Sequence, residues 1–208
     1  MKHVIGIDFD NTIVNYDAVM LKTAQAWGLI NGQVPRNKKE IRDHIRRLPD
    51  GDIQWQKLQA FIYGKAMDQA QLIDGVKEFV EFCKKEKWDV CVISHKTQFA
   101  SMDREGIDLR HVALNWMRAN GFFSAGGLGL SKKQIFFEST RAEKIARLKQ
   151  LGCTHFIDDL EETFLEDSFP NNVEKILYAS NDKRQPLKSV RVLSTWEEIY
   201  DYFAGARR

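Results

Sequence analysis

The strongest constraint on what this chain can fold into is the stretch from His3 to Val14, an apolar run that stops abruptly on two acids. Val4, Ile5 and Ile7, with Gly6 among them, lack the alternation of a half-exposed strand. The run therefore reads as a strand of a parallel sheet covered on both faces. Asp8 and Asp10 close it. Carboxylates at the end of a buried strand are costly to desolvate unless a cation or hydrogen bonds compensate them. Taken alone, they are explained as well by an Asp-rich turn continued by Asn11. The decision between the two rests on whether the rest of the chain supplies further acids, a hydroxyl and a lysine.

From Asp74 onward, strand and helix patterns alternate. Val76, Phe79, Val80 and Cys83 form an i, i+3, i+4, i+7 face, predicting a helix over 75–86. Residues 88–93 form a second apolar strand, followed by Ser94-His95-Lys96-Thr97. Leu109, Val112, Ala113 and Trp116 mark the next helix, stopped by Asn120-Gly121. A glycine-rich connection leads to a short strand over 134–137. Thr140 and Glu143 are spaced as a capping box for a helix ending at Gly152. A strand over 154–157 runs into Asp158-Asp159. Strands over 173–178 and 190–193 follow, then a terminal helix opened by Thr195 and Glu198. Such alternation predicts an α/β fold: a three-layer, Rossmann-like parallel sheet with helices on both faces.

Residues 16–67 contain no convincing strand. Met20, Ala24 and Trp27 share one helical face. Asn37 and Glu40 suit a capped helix to about Arg47, and Trp55, Leu58 and Ile62 follow at helical spacing after the turn Pro49-Asp50-Gly51-Asp52. The expected organisation is a core of 1–14 and 74–208 with a small helical insertion, 15–73.

In open parallel sheets, ligands bind at the carboxyl ends of the strands. Three strands here end in reactive groups: Asp8 with Asp10, Ser94, and Asp158 with Asp159. Lys144 lies one turn into the helix before the last of these. Lys132 and Lys133 are rivals for its place, but they fall in a loop. Carboxylates suit a hard cation such as Mg²⁺, while a lysine and a hydroxyl suit phosphate oxygens.

This set resembles the haloacid dehalogenase (HAD) superfamily of phosphatases across essentially the whole core. The first motif of that superfamily, Asp-x-Asp-x-Thr/Val, stands here as Asp8-Phe9-Asp10-Asn11-Thr12. The strand-closing hydroxyl is Ser94, the helix lysine Lys144 and the acidic pair Asp158-Asp159. The resemblance implies that Asp8 is the nucleophile, forming an aspartyl-phosphate. It makes Asp10 the general acid and then the general base. Ser94 and Lys144 would bind the phosphoryl group, with His95 beside them. His95 is equally explained as a hydrogen-bonded structural histidine. Mg²⁺ would be held by Asp8, the Asp10 main-chain carbonyl and one of the last pair, with Asp159 preferred as direct ligand over Asp158. Members that cleave carbon–halogen bonds lack an acid at the Asp10 position, so phosphoryl chemistry is expected. The insertion stands where the superfamily places a cap that selects small substrates, with Tyr16 and Asp17 as candidates at the entrance and Lys96 as a contact to the leaving group.

The expected function is hydrolysis of a small phosphomonoester, a sugar phosphate or similar metabolite. The alternatives are a 5′-nucleotidase, a phosphomutase, and a catalytically silent binding protein on the same fold. A net charge of +2 on 208 residues argues against a dedicated nucleic-acid or membrane binder. The basic run from Pro35 to Arg47 is interrupted by Glu40 and Asp43 and lacks stacking aromatics. No apolar run approaches membrane-spanning length. Cys83, Cys91 and Cys153 read as reduced, buried thiols of a cytoplasmic protein. Both a monomer and a homodimer are compatible with the chain.

Overall fold

The computed structural model describes residues 3–32, 37–179 and 189–205. Pro35, where the basic run begins, lies outside them. Two compact units divide the chain: Met1–Ile13, Leu72–Lys96 and Asn120–Arg208 form the first, Val14–Gln71 and Thr97–Ala119 the second.

The first unit is built on a sheet of β1 (Val4–Ile7), β4 (Asp89–His95), β5 (Ile135–Glu138), β6 (His155–Asp158), β7 (Glu174–Tyr178) and β8 (Arg191–Leu193). Its order is β5-β4-β1-β6-β7-β8. Every described pairing in it is parallel. β1 is central, and Ile5 and Ile7 are almost wholly buried, as a run without alternation requires. Gly6 is needed for packing: a Cβ there would lie 2.7 Å from the Phe156 ring and 3.2 Å from Ile93. Cys91, Ile93, Phe156 and Cys153 share one apolar cluster. The two thiols in it approach to 3.9 Å, and all three cysteines are free and buried.

Helices α4 (Val76–Lys85), α6 (Arg141–Gln150), α7 (Glu161–Phe164) and α8 (Trp196–Gly205) accompany this sheet. α4 buries the predicted face of Val76, Phe79, Val80 and Cys83. Phe79 meets Trp196 and Phe203 of α8. The Trp196 indole donates to the Thr12 carbonyl at 2.9 Å, tying the last helix to the turn after β1.

The second unit contains α1 (Asp17–Ala26), α2 (Lys38–Ile45), α3 (Gly51–Tyr63), α5 (Leu109–Ala119) and a 3₁₀ turn, Met67–Gln69. The two-residue strands β2 (Val14–Asn15) and β3 (Gln71–Leu72) flank its first segment. Asn37 caps α2 by accepting from the Glu40 N–H at 2.9 Å. Trp27, expected on the buried face with Met20 and Ala24, is 41% exposed, because α1 ends at Ala26 and Trp27 caps it.

One expected boundary moves. Residues 97–119, expected in the core, cluster with the insertion. The reason is the partner of α5. Its apolar face, with Leu109, Ala113 and Trp116, lies against α3 and the 3₁₀ turn, and the Trp116 indole donates to Ala70 O at 3.0 Å. Periodicity reveals that a helix has an apolar face, not which body covers it.

Candidate active site

Parallel pairing places the carboxyl ends of β1, β4 and β6 at one edge of the sheet. Ile7 is level with Val92 and with Ile157, so Asp8, Ser94 and Asp158 fall within two residues of one register line. The Asp8 N–H donates to Ile157 O at 2.9 Å, carrying the ladder one residue past β1. The chain then turns. Asn11 sits at φ +62°, a left-handed conformation that Asn tolerates, and Ile13 N–H closes the turn on Phe9 O at 3.0 Å.

Lys144 reaches this edge from α6. Thr140 and Glu143 form the expected capping box, and Lys144 sits one turn in, its N–H donating to Thr140 O. The ammonium donates to Asp8 Oδ1 at 2.6 Å and to Asp158 Oδ2 at 2.7 Å, with the Phe156 ring 5.2 Å away. Its side chain is 2% exposed. Burial alone would pull this lysine down, but Asp158 and Asp8 outweigh it and raise its affinity for the proton, so Lys144 is charged. Asp8 is pushed from 3.8 up to about 6, first by burial and then by Asp158 and Asp10, with Lys144 opposing. Lys132 and Lys133, the rivals by sequence, are exposed in a short 3₁₀ turn.

Asp158 has both oxygens engaged, Oδ2 by Lys144 and Oδ1 by the Leu160 N–H at 3.0 Å. Asp159 is half-buried beside it. One carboxylate oxygen from each of Asp8, Asp158 and Asp159 lies within 4.8 Å of the others. Hard oxygen donors grouped this closely are of the kind that a divalent cation takes.

Ser94 is 1% exposed, on the strand beside β1. His95, expected with it at the phosphate, follows it at the end of β4. Successive side chains of a strand point to opposite faces, and the His95 imidazole Nε2 meets the Ser139 carbonyl at 3.0 Å. Burial lowers its pKa and that hydrogen bond opposes the shift, with smaller effects from Lys144, Arg141 and Asp10. Lys96, expected at the leaving group, donates through its ammonium to Asp10 Oδ1 at 3.0 Å and Oδ2 at 2.8 Å, a pairing that the sequence reading does not include.

No protein-family model matches the chain, and no curated protein matches it. Solved structures do. A HAD family hydrolase from Deinococcus radiodurans R1, with bound phosphate and sodium, is 14% identical, with a TM-score of 0.56 over 99% of this chain and 96% of that one. A putative HAD-hydrolase from Bacillus subtilis, bound to magnesium, gives 14% and 0.56 over 97% and 98%. Protein Tyrosine Kinase A from Mycobacterium tuberculosis gives 14% and 0.58 over 97% of each chain. The chain has the haloacid dehalogenase fold.

Proposed function

We propose that this protein is a Mg²⁺-dependent phosphohydrolase that cleaves small phosphomonoesters through an aspartyl-phosphate on Asp8. The observation that carries the reading is the buried Asp8–Lys144–Asp158 arrangement, an ammonium 2.6 Å and 2.7 Å from two carboxylates at the active edge of a parallel sheet. Burying three charges is costly in a purely structural role, since apolar replacements of similar volume are often neutral or stabilising. Phosphoryl transfer, in contrast, needs fixed charge at this place.

In this reading Asp8 attacks phosphorus in line while Lys144 and Ser94 bind the phosphoryl oxygens. Lys144 also holds Asp8 through Oδ1, fixing the direction of attack. Asp10 gives a proton to the departing oxygen and then takes one from the water that hydrolyses the acyl-phosphate. Asp8, Asp159 and the Asp10 carbonyl would hold Mg²⁺, with Asp158 braced behind by its contacts to Lys144 and Leu160. The cation's contribution is to neutralise charge on the phosphoryl group.

The inserted segment, as a substrate-selecting cap, and a phosphorylated metabolite as partner belong to the same proposal, as does action in the cytoplasm. Among the described residues, no helix is long and apolar enough to cross a membrane. Transfer to an acceptor other than water is the second reading, since a protein named as a tyrosine kinase shares the fold. Release of phosphate from 4-nitrophenyl phosphate, with and without Mg²⁺, tests the first reading. Loss in Asp8→Asn is expected; full activity in that variant would overturn it. A panel of phosphorylated metabolites with candidate acceptors would then separate hydrolysis from transfer.

A further inference from the structure

Asp10 is partly open to solvent, with a side-chain exposure of 17%, while the lysine paired to it is 3% exposed. The ammonium of Lys96 donates to both oxygens of that carboxylate, at 3.0 Å and 2.8 Å. Its other surroundings are equally defined. The Lys96 N–H donates to Glu138 O at 2.9 Å, fixing the residue to the end of β5. The Nζ stands 5.6 Å from the centre of the Phe9 ring, which is fully buried and set edge-on to Phe137. Lys96 thus reaches Asp10 beside the Phe9 ring.

We propose that Lys96 is a positioning residue for phosphoester cleavage: it fixes the Asp10 carboxylate in the orientation that reaches the leaving-group oxygen and does not itself touch the substrate. The inference rests on the phosphohydrolase reading above. Its physical basis is the softness of an aspartate. The terminal torsion of Asp is broad, so an unheld carboxylate swings. A two-oxygen contact to one ammonium fixes that torsion. Each carboxylate oxygen also has a second lone-pair site, so the outward edge of Asp10 remains able to exchange a proton. Misplacing a catalytic group by about 1 Å costs roughly 10²-fold in rate.

The consequence is selective. Asp10 matters most for leaving groups that need a proton, so Lys96 matters for the same ones. In Lys96→Met, single-turnover release of an alkyl leaving group falls by about 100-fold with KM changed less than about threefold. Release of 2,4-dinitrophenolate, which needs no proton, falls less than about fivefold on the same reasoning. Lys96→Gln, which keeps a donor, lies between, and methylammonium partly restores Lys96→Ala. Adding Lys96→Met to Asp10→Asn costs little more, because the two act as one unit. Circular dichroism and melting of each variant separate misfolding from misplacement.

Equal losses on both esters, or a KM rise of tenfold with kcat unchanged, would overturn the proposal, the latter by placing Lys96 on the substrate. If the wild type hydrolyses no phosphomonoester, the functional reading fails by itself. The positioning is then read from crystal structures of wild type and Lys96→Met: an Asp10 carboxylate in the same single orientation without the lysine refutes it.

Discussion

Replacing Lys144 with methionine tests the central arrangement most directly. Methionine keeps most of the length and volume of the side chain but removes the ammonium between Asp8 and Asp158, which are 7% and 0% exposed. Breaking a buried ion pair by deleting one partner costs about 3–5 kcal/mol, because the remaining charge is stranded. For a chain of this length, 1 kcal/mol moves the melting temperature by about 2–4 °C, so the expected fall is roughly 6–20 °C. Lys132→Met and Lys133→Met, at exposed positions, are the controls and should stay within about 0.5 kcal/mol. Adding Asp158→Asn to Lys144→Met removes one stranded charge while Asn Oδ1 can still accept from Leu160, so about 1 kcal/mol or more returns. Urea unfolding followed by circular dichroism measures each step. Phosphate release from Lys144→Met should fall by at least about 100-fold, as expected when a fixed charge at the phosphoryl group is lost. A variant within about 1 kcal/mol of wild type that still turns over would refute the reasoning, since the ammonium would then hold neither the fold nor the phosphate.

Three further outcomes are expected. Asp8→Asn abolishes phosphate release yet stays folded, because Lys144 retains Asp158; loss of the folded circular-dichroism signal instead would show that the carboxylate is structural. Mg²⁺ at a hundredfold excess over its dissociation constant stabilises the chelator-treated protein by about 2.7 kcal/mol, and Asp159→Asn removes most of that gain; identical melting curves with and without Mg²⁺ sink the cation site. His155, lowered from 6.5 to about 4 by burial and then by His3, is neutral in the folded state, so its contribution is complete above pH 6.5 and is lost as pH falls from 6.5 towards 4. His155→Phe should flatten that part of a stability–pH curve, and an unchanged slope would mean that other groups set it.

Much of the core was legible in sequence because its signals are local. The β1 run, the α4 stripe and the Thr140–Glu143 capping box each lie within a dozen residues, and each appears where its pattern places it. Boundaries moved by a residue or two, and the four-residue α7 carries too few turns to show a period. What was not legible depends on contacts between distant segments. The assignment of α5 to the second unit is decided by the covering partners α3 and the 3₁₀ turn. The turn of His95 toward Ser139 follows strand alternation, which was available, but its acceptor belongs to a loop 44 residues away.

The two lysines show the same limit. Lys144 stood out because its distance from Asp158 suits the motif of the superfamily that the chain resembles. Lys96 had only its place after β4, and that place is shared by solvated lysines at many strand ends. What sets it apart is Phe9, whose ring centre stands 5.6 Å from the ammonium and which is set edge-on to Phe137. Phe9 lies between the two motif aspartates, in a position where the motif pattern specifies no residue type. Replacing it with alanine would remove that ring without touching a charge. If the aromatic wall sets the direction of Lys96, Phe9→Ala should reproduce part of the leaving-group selectivity of Lys96→Met while KM stays near wild type. A loss equal for alkyl and dinitrophenyl esters would instead show that Phe9 only fills the core, and that the ammonium finds Asp10 through its own charge.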